Sequence, residues 1–318
     1  MTTVTPIAAH EWEAAAAILT GANPHDPLTG EEFRHQMHEQ RDWGYGWAVL
    51  VARDGAEVLG VAAYHQNPGA FHPHRYGLDL AVAPHAQGRG VGGALWQALH
   101  AELRGRGAES ARLLAREDHP VAPGFLTRRG FVGDRRYFMS TLSVPDFDAA
   151  PYAALEDRVQ SRGVRIRTLA DLRAAGTPDL VGRLHALMSD VRQDVPRAEP
   201  ATPLSRQVFE DGVLGDPGLL PDAYLIAEVG GEWVGQTVCF RSGASPDLLT
   251  GLTGVTRSWR GQGVATALKL AAIRAARTLG APTIRTDNAS DNAPMLAIND
   301  RLGFVRDPAS VSYLIRFG

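Results

Sequence analysis

Two glycine-rich segments combine residue types that can bind an anion through the backbone. Residues 87–93 have the sequence QGRGVGG, and residues 260–266 have the sequence RGQGVAT. Each segment follows an apolar stretch and precedes apolar residues at helical spacing, so each is expected to lie between a strand and a helix. The first N–H groups of a helix have no partner within it and lie at the positive end of its dipole. Because glycine has no Cβ to keep an anion away from the amides, both segments are predicted to bind phosphate groups.

The first segment also fits the GxGxxG pattern of dinucleotide-binding sites. That pattern places its first glycine directly after a strand, whereas residues including Pro84 separate Val82 from Gly88. In the second segment Thr266 stands where the third glycine would be, and neither segment is followed by the GK[ST] of NTP-binding loops. A nicotinamide-dependent dehydrogenase is therefore only a distant alternative.

The two segments belong to one internal repeat. Residues 82–95 align without a gap on residues 255–268, which lie 173 positions later, and the same offset aligns residues 130–132 on residues 303–305, both Gly-Phe-Val. A period of this length that occurs twice indicates duplicated domains, because the repeats of solenoids are much shorter.

The repeat predicts the domain organisation. We expect a first domain at residues 1–144 and a second at residues 164–318. Residues 145–163 have no counterpart in either copy and are predicted to be a linker. Two domains also suit a chain of 318 residues.

The same order of elements is predicted for each copy, and it indicates a mixed α/β layer fold. Thr29, with Glu32 three residues later, is typical of the start of a helix, and Asp54-Gly55 is typical of a hairpin turn. The predicted elements of the first copy are helices at 10–19, from 29 onward, at 91–103 and at 121–129, and strands at 47–53, 57–64, 76–82, 111–115 and 131–144. Those of the second copy are strands at 224–229, 233–240, 248–255 and 283–287 and a helix at 264–279.

Both copies resemble the GNAT superfamily of acyl-CoA-dependent N-acyltransferases, and the resemblance covers nearly the whole chain. It rests on the pattern Q/R-x-x-G-x-G/A, present at residues 87–92 and 260–265, and on its fixed distance from the later Gly-Phe pair. The arrangement is similar to that of tandem two-lobed enzymes in this family. The resemblance implies a splayed mixed sheet flanked by helices and acetyl-CoA (coenzyme A) as the cofactor.

The resemblance also implies which residues contact the cofactor. The diphosphate would bind to the amides of the two glycine segments, and the pantetheine arm would pair with the strand that precedes each. The expected contacts in the first copy are Val82, Gln87, Gly88, Arg89, Gly90, Val91, Gly92 and Gly93. Those in the second copy are Thr253, Val255, Arg260, Gly261, Gln262, Gly263, Val264, Ala265, Thr266, Asn288 and Asn292.

The copies differ where the reaction would occur. The second copy has Asn288, Asn292 and Asn299, a pattern similar to one in the family, and at the equivalent positions the first copy has alanine, histidine and leucine. Because asparagine side chains can satisfy the amide groups of pantetheine, we expect the chemistry in the second lobe, with Asn299 as a catalytic candidate. The first lobe would then either bind the cofactor or retain the fold without catalysing the reaction. The tyrosine that the family often has at position 299 is absent from both copies.

An attacking amine needs a base, and four carboxylates are candidates. Asp194 is the first choice, together with Asp190 and Glu199 in the same region of the second copy. Asp79 interrupts an otherwise apolar strand of the first copy. A solvated loop is the alternative for Asp194 and Glu199, which lie among several prolines, and a paired structural acid is the alternative for Asp79.

Composition narrows the function further. A net charge of -3 and a pI near 6.4 disfavour nucleic acid as a partner, and no apolar stretch is long enough to cross a membrane. The single cysteine, Cys239, and the lack of a secretory signal favour the cytoplasm. No metal is implied, since His72 and His74 lack a third ligand. The sequence thus predicts acetyl transfer to the primary amine of a small molecule, with a non-catalytic CoA-binding sensor or structural module as the alternative.

Overall fold

The computed structural model describes residues 2–318, and it has a 13-stranded sheet with helices packed on it. The first half contains β1 (Thr3–Pro6), α1 (Trp12–Ala22), α2 (Gly30–Asp42), β2 (Trp47–Asp54), β3 (Glu57–His65), β4 (Arg75–Val82), α3 (Val91–Gly105), β5 (Ser110–Arg116), α4 (Ala122–Thr127) and β6 (Val132–Ser143). The second half contains α5 (Ala153–Ser161), β7 (Arg165–Thr168), α6 (Leu169–Ala174), α7 (Leu180–Val191), α8 (Arg206–Phe209), β8 (Leu219–Val229), β9 (Glu232–Phe240), β10 (Leu248–Val255), α9 (Val264–Thr278), β11 (Thr283–Ala289), α10 (Ala293–Leu302), β12 (Val305–Arg306) and β13 (Ser310–Arg316). The mixed α/β class predicted from the sequence is confirmed.

The closing strands of the two halves are exchanged. The strands lie in the order β1-β2-β3-β4-β5-β13-β6-β11-β10-β9-β8-β7, and β12 pairs with β6 beside this path. Strand β13 from the end of the chain thus pairs with β5, while β6 pairs with β11. We call β1–β5 with α1–α4 the N-terminal lobe and β7–β11 with α6–α10 the C-terminal lobe. The boundaries expected at residues 144 and 164 stay a prediction, but each lobe is completed by a strand of the other half.

Local sequence signals explain several element boundaries. The capping box predicted at the start of α2 is present: the Thr29 side chain accepts from the Glu32 N–H at 3.2 Å, and Glu32 accepts from the Thr29 N–H at 2.7 Å. Glu32 also accepts from Ser242 and from the Gly243 N–H in the other half. One carboxylate therefore both starts a helix and joins the halves.

Helices α3 and α9 pack equivalently on the sheet. Leu95, Leu99 and Leu103, spaced four residues apart on α3, are fully buried, as expected for the apolar stripe of an amphipathic helix. Trp96 on α3 is replaced by Lys269 at the equivalent position of α9, and Lys269 is also buried. The C-terminal lobe therefore has an ionisable group in its core where the N-terminal lobe has an aromatic ring.

In each lobe the strand before the glycine segment diverges from its neighbour. Strand β4 pairs with β5 only through Arg75–Gly77, and β10 pairs with β11 only through Leu248–Thr250. Beyond these residues, β4 has no strand partner on the edge that faces β5, and β10 has none on the edge that faces β11. These open edges confirm the splayed sheet, and they place free backbone groups beside the glycine segments.

The segment predicted to be a linker contains a helix that packs on the C-terminal lobe. Val159 of α5 is buried in the same apolar cluster as Val264, the first residue of α9. Arg274 on α9 also forms an ion pair with Glu156 of α5 at 2.6 Å. Among residues 2–318, no helix combines the length and apolarity needed to cross a lipid bilayer.

Candidate functional site

The glycine segment of the N-terminal lobe has the geometry of an anion site. Gly88 and Gly90 have φ values of +74° and +85°, which a residue with a Cβ adopts only with strain. Helix α3 begins directly afterwards, and within the described chain the N–H groups of residues 88–93 donate to no backbone carbonyl. A run of unpaired donors therefore lies at the positive end of a fifteen-residue helix.

Helix α4 adds an aromatic ring and a cation beside these amides. A Cβ on Gly92 would lie 3.3 Å from the ring of Phe125, so the ring packs directly on the segment. The Arg129 guanidinium stacks on that ring at 3.5 Å and donates to the Phe125 carbonyl at 3.0 Å. Burial, with the nearby charge of Arg128, lowers the pKa of Arg129, although an arginine stays protonated at neutral pH. No carboxylate of residues 2–318 forms an ion pair with either arginine, so both charges are available to an anion.

Sequence reasoning did not identify Phe125, Arg128 or Arg129 as site residues. The consecutive arginines before Gly130 were the available signal, because the equivalent positions of the second copy are Arg301 and Leu302. Leu302 is buried in the core of the C-terminal lobe.

The residue that opens each glycine segment braces the strand before it. Gln87 donates from Nε2 to the Val82 carbonyl at 3.2 Å, and Arg260 donates from Nε to the Val255 carbonyl at 3.0 Å. Because both side chains make this bond, glutamine in the first copy and arginine in the second have the same structural role at one position of the repeat. Both side chains act on the turn, in addition to any contact with a ligand.

A cavity of about 1180 Å³ extends from the first glycine segment to the boundary between the lobes. Its lining includes the open part of β4 from Leu78 to Val82, most of β5 and all of the first glycine segment except Arg89. Ser310 and Ser312 of β13 and Tyr137 of β6 also line it, as does a stretch near Arg197 in the other half. The exchanged strands therefore contribute directly to the cavity.

Two of the candidate bases, Asp79 and Glu199, line the cavity. Asp79 lies on β4, and its Oδ2 is 3.8 Å from Nδ1 of His65, an atom that has no hydrogen-bond partner among the described residues. Asp26 lies on the same cavity wall. Desolvation by the surrounding protein raises the pKa of Asp26, and the charges of Asp79 and Asp287 raise it further. This part of the cavity can therefore accept a proton or hold a cation.

The second glycine segment has the same backbone but a different environment. Gly261 and Gly263 have φ values of +71° and +90°, and residues 261–266 likewise donate to no backbone carbonyl within the described chain. A Cβ on Gly263, however, would lie 3.2 Å from Val159 of α5, and Arg162 donates to Gln262 at 2.9 Å. The linker thus packs against the segment that was expected to bind the diphosphate in this lobe.

Asp194 is placed poorly for the role of base expected from the sequence. It accepts two hydrogen bonds from Arg257, at 2.5 and 2.9 Å, and one from Arg260 at 2.6 Å. The hydrogen bonds from Arg257, and then those from Arg260, hold the pKa of Asp194 well below its ordinary value. A carboxylate that binds two guanidinium groups is a weak proton acceptor, so this geometry argues against the expectation.

Of the other two carboxylates near Asp194, one is exposed and the other is bound to two arginines. Asp190 is exposed on α7. Glu199 lines the cavity of the N-terminal lobe, where it pairs with Arg75 at 2.5 Å and with Arg112 at 3.3 Å.

Two of the three predicted asparagines meet in the C-terminal lobe. Asn299 on α10 is fully buried and donates from Nδ2 to Oδ1 of Asn288 at 2.7 Å. The Oδ1 of Asn299 has no partner among residues 2–318, and a buried unpaired acceptor is costly. Asn292 precedes α10 without capping it through its side chain. The C-terminal lobe therefore also retains polar groups that a pantetheine amide could satisfy.

The chain matches known proteins over both lobes. The family model described as "Acetyltransferase (GNAT) family" matches residues 11–131 and 184–304. A mycothiol acetyltransferase from Amycolatopsis mediterranei is 28% identical over 84% of this chain and 84% of its own length. One from Nocardioides sp. is 26% identical over 94% of each.

Solved structures show the same fold. A tandem GNAT protein from the clavulanic acid biosynthesis pathway superposes with a TM-score of 0.77 at 21% identity, covering 100% of this chain and 99% of that one. A GCN5-related N-acetyltransferase from Sphaerobacter thermophilus superposes with a TM-score of 0.69 at 16% identity, covering 100% and 96%.

Proposed function

This chain belongs to the acetyltransferase (GNAT) family, and from that premise we propose that it transfers the acetyl group of acetyl-CoA to the amine of a small molecule, with acetyl-CoA bound in the N-terminal lobe. The observation that carries the proposal is the cavity that joins the first glycine segment to the open edge of β4. The mycothiol acetyltransferases among its relatives support a small-molecule acceptor.

The residues of the N-terminal lobe fit this donor. Acetyl-CoA supplies an acetyl group activated as a thioester. The amides of residues 88–93 and the guanidinium of Arg129 would bind its diphosphate, since charge-assisted hydrogen bonds to phosphate are among the strongest available. The free edge of β4 from Leu80 to Val82 would pair with the amides of the pantetheine arm. The ring of Phe125 narrows the approach to this segment, and the absence of a Cβ at Gly92 leaves room for the diphosphate beside the ring.

Asp79 is the proposed proton acceptor for the amine. An amine with the pKa of a lysine is neutral in only about one molecule in 2,500 at pH 7, which costs about 4.6 kcal/mol. A positioned base offsets part of that cost. Asp79 lies on the strand that would hold the pantetheine arm, and His65 lies at its carboxylate. Once the amine and the thioester are held together, their proximity lowers the barrier further without a covalent enzyme intermediate.

The departing thiolate has no tyrosine beside it at the position common in the family. That position is Leu126 in the N-terminal lobe and Asn299 in the C-terminal lobe. An unperturbed thiol has a pKa near 8.5, so protonation by water is sufficient. The missing acid is also the feature that favours the second candidate function, a CoA-binding sensor without turnover.

The C-terminal lobe is the weaker candidate for the chemistry, although the sequence favoured it. Asn288 and Asn299 support cofactor binding there. Against it, α5 packs on Gly263 and Arg260 is engaged by Asp194. Leu302 takes the place of Arg129, so the second segment has less positive charge available.

Two measurements test the proposal. Calorimetric titration with CoA should give a saturable heat for the wild-type chain, and titration with NAD should give none. Release of CoA thiol from acetyl-CoA should then depend on an added amine, with glucosamine, cadaverine and phenethylamine as probes. CoA binding without release for any of these amines would favour the sensor, and no CoA binding would refute both functions.

A further inference from the structure

The connection between α7 and α8, residues 192–205, leaves its own lobe. It is longer than the equivalent connection of the N-terminal lobe, which joins α1 to α2 through residues 23–29. Near its end the longer connection packs on the turn at residues 67–71 of the N-terminal lobe. We call residues 192–205 the insertion, because part of this connection has no counterpart in the first copy.

Hydrogen bonds fasten this insertion at its far end. Thr202 donates from Oγ1 to the Pro68 carbonyl at 2.9 Å and accepts from the Phe71 N–H at 3.3 Å. The Thr202 N–H donates to the Gly69 carbonyl at 3.2 Å, and Arg192 donates to the same carbonyl at 2.9 Å. The backbone of the insertion is thus held to the N-terminal lobe at a defined position.

An ion-pair network fastens the insertion within the cavity. Glu199 pairs with Arg75 of β4 and with Arg112 of β5, the two strands that diverge to form the cavity. Arg112 also donates to Ser312 of β13 at 3.2 Å. The Glu199 side chain is 23% exposed. Because these groups are partly buried and mutually bonded, they hold the insertion better than an isolated surface pair would.

The insertion does more than join the halves. Val195, Arg197, Ala198 and Glu199 all line the cavity. In contrast, the bond from the Trp43 indole to Asp211, at 3.0 Å, joins the halves through residues that do not line it.

We propose that residues 195–202 form the acceptor-side wall of the N-terminal cavity, and that Glu199 sets the position of this wall and thereby determines which amines reach the thioester. The inference rests on the proposed function of the N-terminal lobe. It assigns the C-terminal half a role in the reaction of its neighbour, and Glu199 is in this sense a positioning residue.

A cysteine probe tests the wall without any acceptor. The single native cysteine is fully buried, so a Ser310→Cys substitution, at a half-buried position outside the ion-pair network, would place one reactive thiol on the cavity floor. In this background, Glu199→Gln and Thr202→Val should each speed the reaction with Ellman's reagent about tenfold, which corresponds to the loss of a contact of ordinary strength. Thr202→Ser and Asp211→Asn should leave the rate near that of the parent. Equal rates in all variants would overturn the proposal.

A second measurement tests selectivity in the chain with its native Ser310. Glu199→Gln should change the ratio of kcat/KM between glucosamine, cadaverine and phenethylamine, or the hydrolysis of acetyl-CoA without amine, while the CoA affinity stays near that of the wild type. An unchanged ratio with unchanged hydrolysis would contradict the role of Glu199. Failure of the proposed function would be recognised separately, as absence of CoA binding by the wild-type chain, since the thiol probe requires no ligand.

Discussion

A Cβ built on Gly263 would lie 3.2 Å from Cγ2 of Val159. At Gly90, the equivalent position of the other lobe, a Cβ would meet nothing within 4 Å. Two segments with nearly the same backbone thus differ in what lies over them, because the linker helix α5 packs on only one. This difference favours the N-terminal lobe as the one that binds CoA.

The first prediction concerns the cation beside the first glycine segment. Arg129→Ala should weaken CoA binding about tenfold to a hundredfold, the range expected when a charge-assisted hydrogen bond is lost. The CoA affinity of Arg129→Lys should fall between those of the wild type and Arg129→Ala, because a lysine keeps the charge but not the planar stacking on Phe125. Calorimetry with CoA measures both, and Arg104→Ala, on the exposed end of α3, is the control. Wild-type affinity in Arg129→Ala would show that the diphosphate binds elsewhere.

The second prediction concerns the proposed base. Asp79→Asn should lower kcat/KM for the amine about a hundredfold to ten-thousandfold, the usual contribution of a positioned base, with CoA affinity unchanged. The check is the initial rate of CoA release with an amine that the wild type accepts. Asp42→Asn, at an exposed pair with Arg41, should behave as the wild type. If Asp79→Asn retains full activity, the proton is accepted by another group.

The third prediction concerns the only lysine of the sequence. Burial lowers the pKa of Lys269 to about 8 from its ordinary value of 10.5. Below pH 8 the folded chain therefore holds a buried charge that costs about 3 kcal/mol. Between pH 8 and 10.5 the unfolded chain binds more protons than the folded one, so stability rises with pH.

Lys269→Met removes this titration. The variant should be more stable than the wild type at pH 7, and its advantage should shrink at pH 9.5. Urea denaturation at the two pH values gives both free energies of unfolding. An advantage that stays constant between the two values would indicate that Lys269 does not carry a buried charge.

The fourth prediction follows from the exchanged strands. A fragment of residues 1–131 lacks both β6 and β13, so the edge of β5 would be unpaired and the cavity would lose its floor at Ser310 and Ser312. An unpaired edge invites association with another chain. The fragment should therefore associate in size-exclusion chromatography and bind CoA far more weakly than the full chain. A monomeric fragment with full affinity would show that β13 is dispensable.

Much of the fold could be predicted from sequence because it depends on local signals. The repeat, the capping box at Thr29 and Glu32, and the positions of the glycines that need positive φ are all encoded within a few residues. The exchange of β6 and β13 could not be predicted in this way. The two closing strands occupy the same place in the repeat, so nothing local decides which lobe each one completes.

The site was predictable only in part, for the same physical reason. The two glycine segments were identified correctly as turns before helices, but their surroundings depend on distant residues. Val159 lies over Gly263 because the linker forms a helix, and Glu199 reaches Arg75 across the lobe boundary. Asp194 was a reasonable candidate base by residue type, yet its two arginine partners lie more than sixty residues away along the chain.

The choice between the lobes is tested most directly by blocking each glycine segment in turn. Gly92 and Ala265 are equivalent positions of the repeat, so Gly92→Leu and Ala265→Leu are a matched pair, each to be checked for unchanged thermal unfolding. In calorimetric titrations, Gly92→Leu should abolish the heat of CoA binding, and Ala265→Leu should leave it near that of the wild type. Loss of binding in Ala265→Leu, with binding retained in Gly92→Leu, would contradict the account.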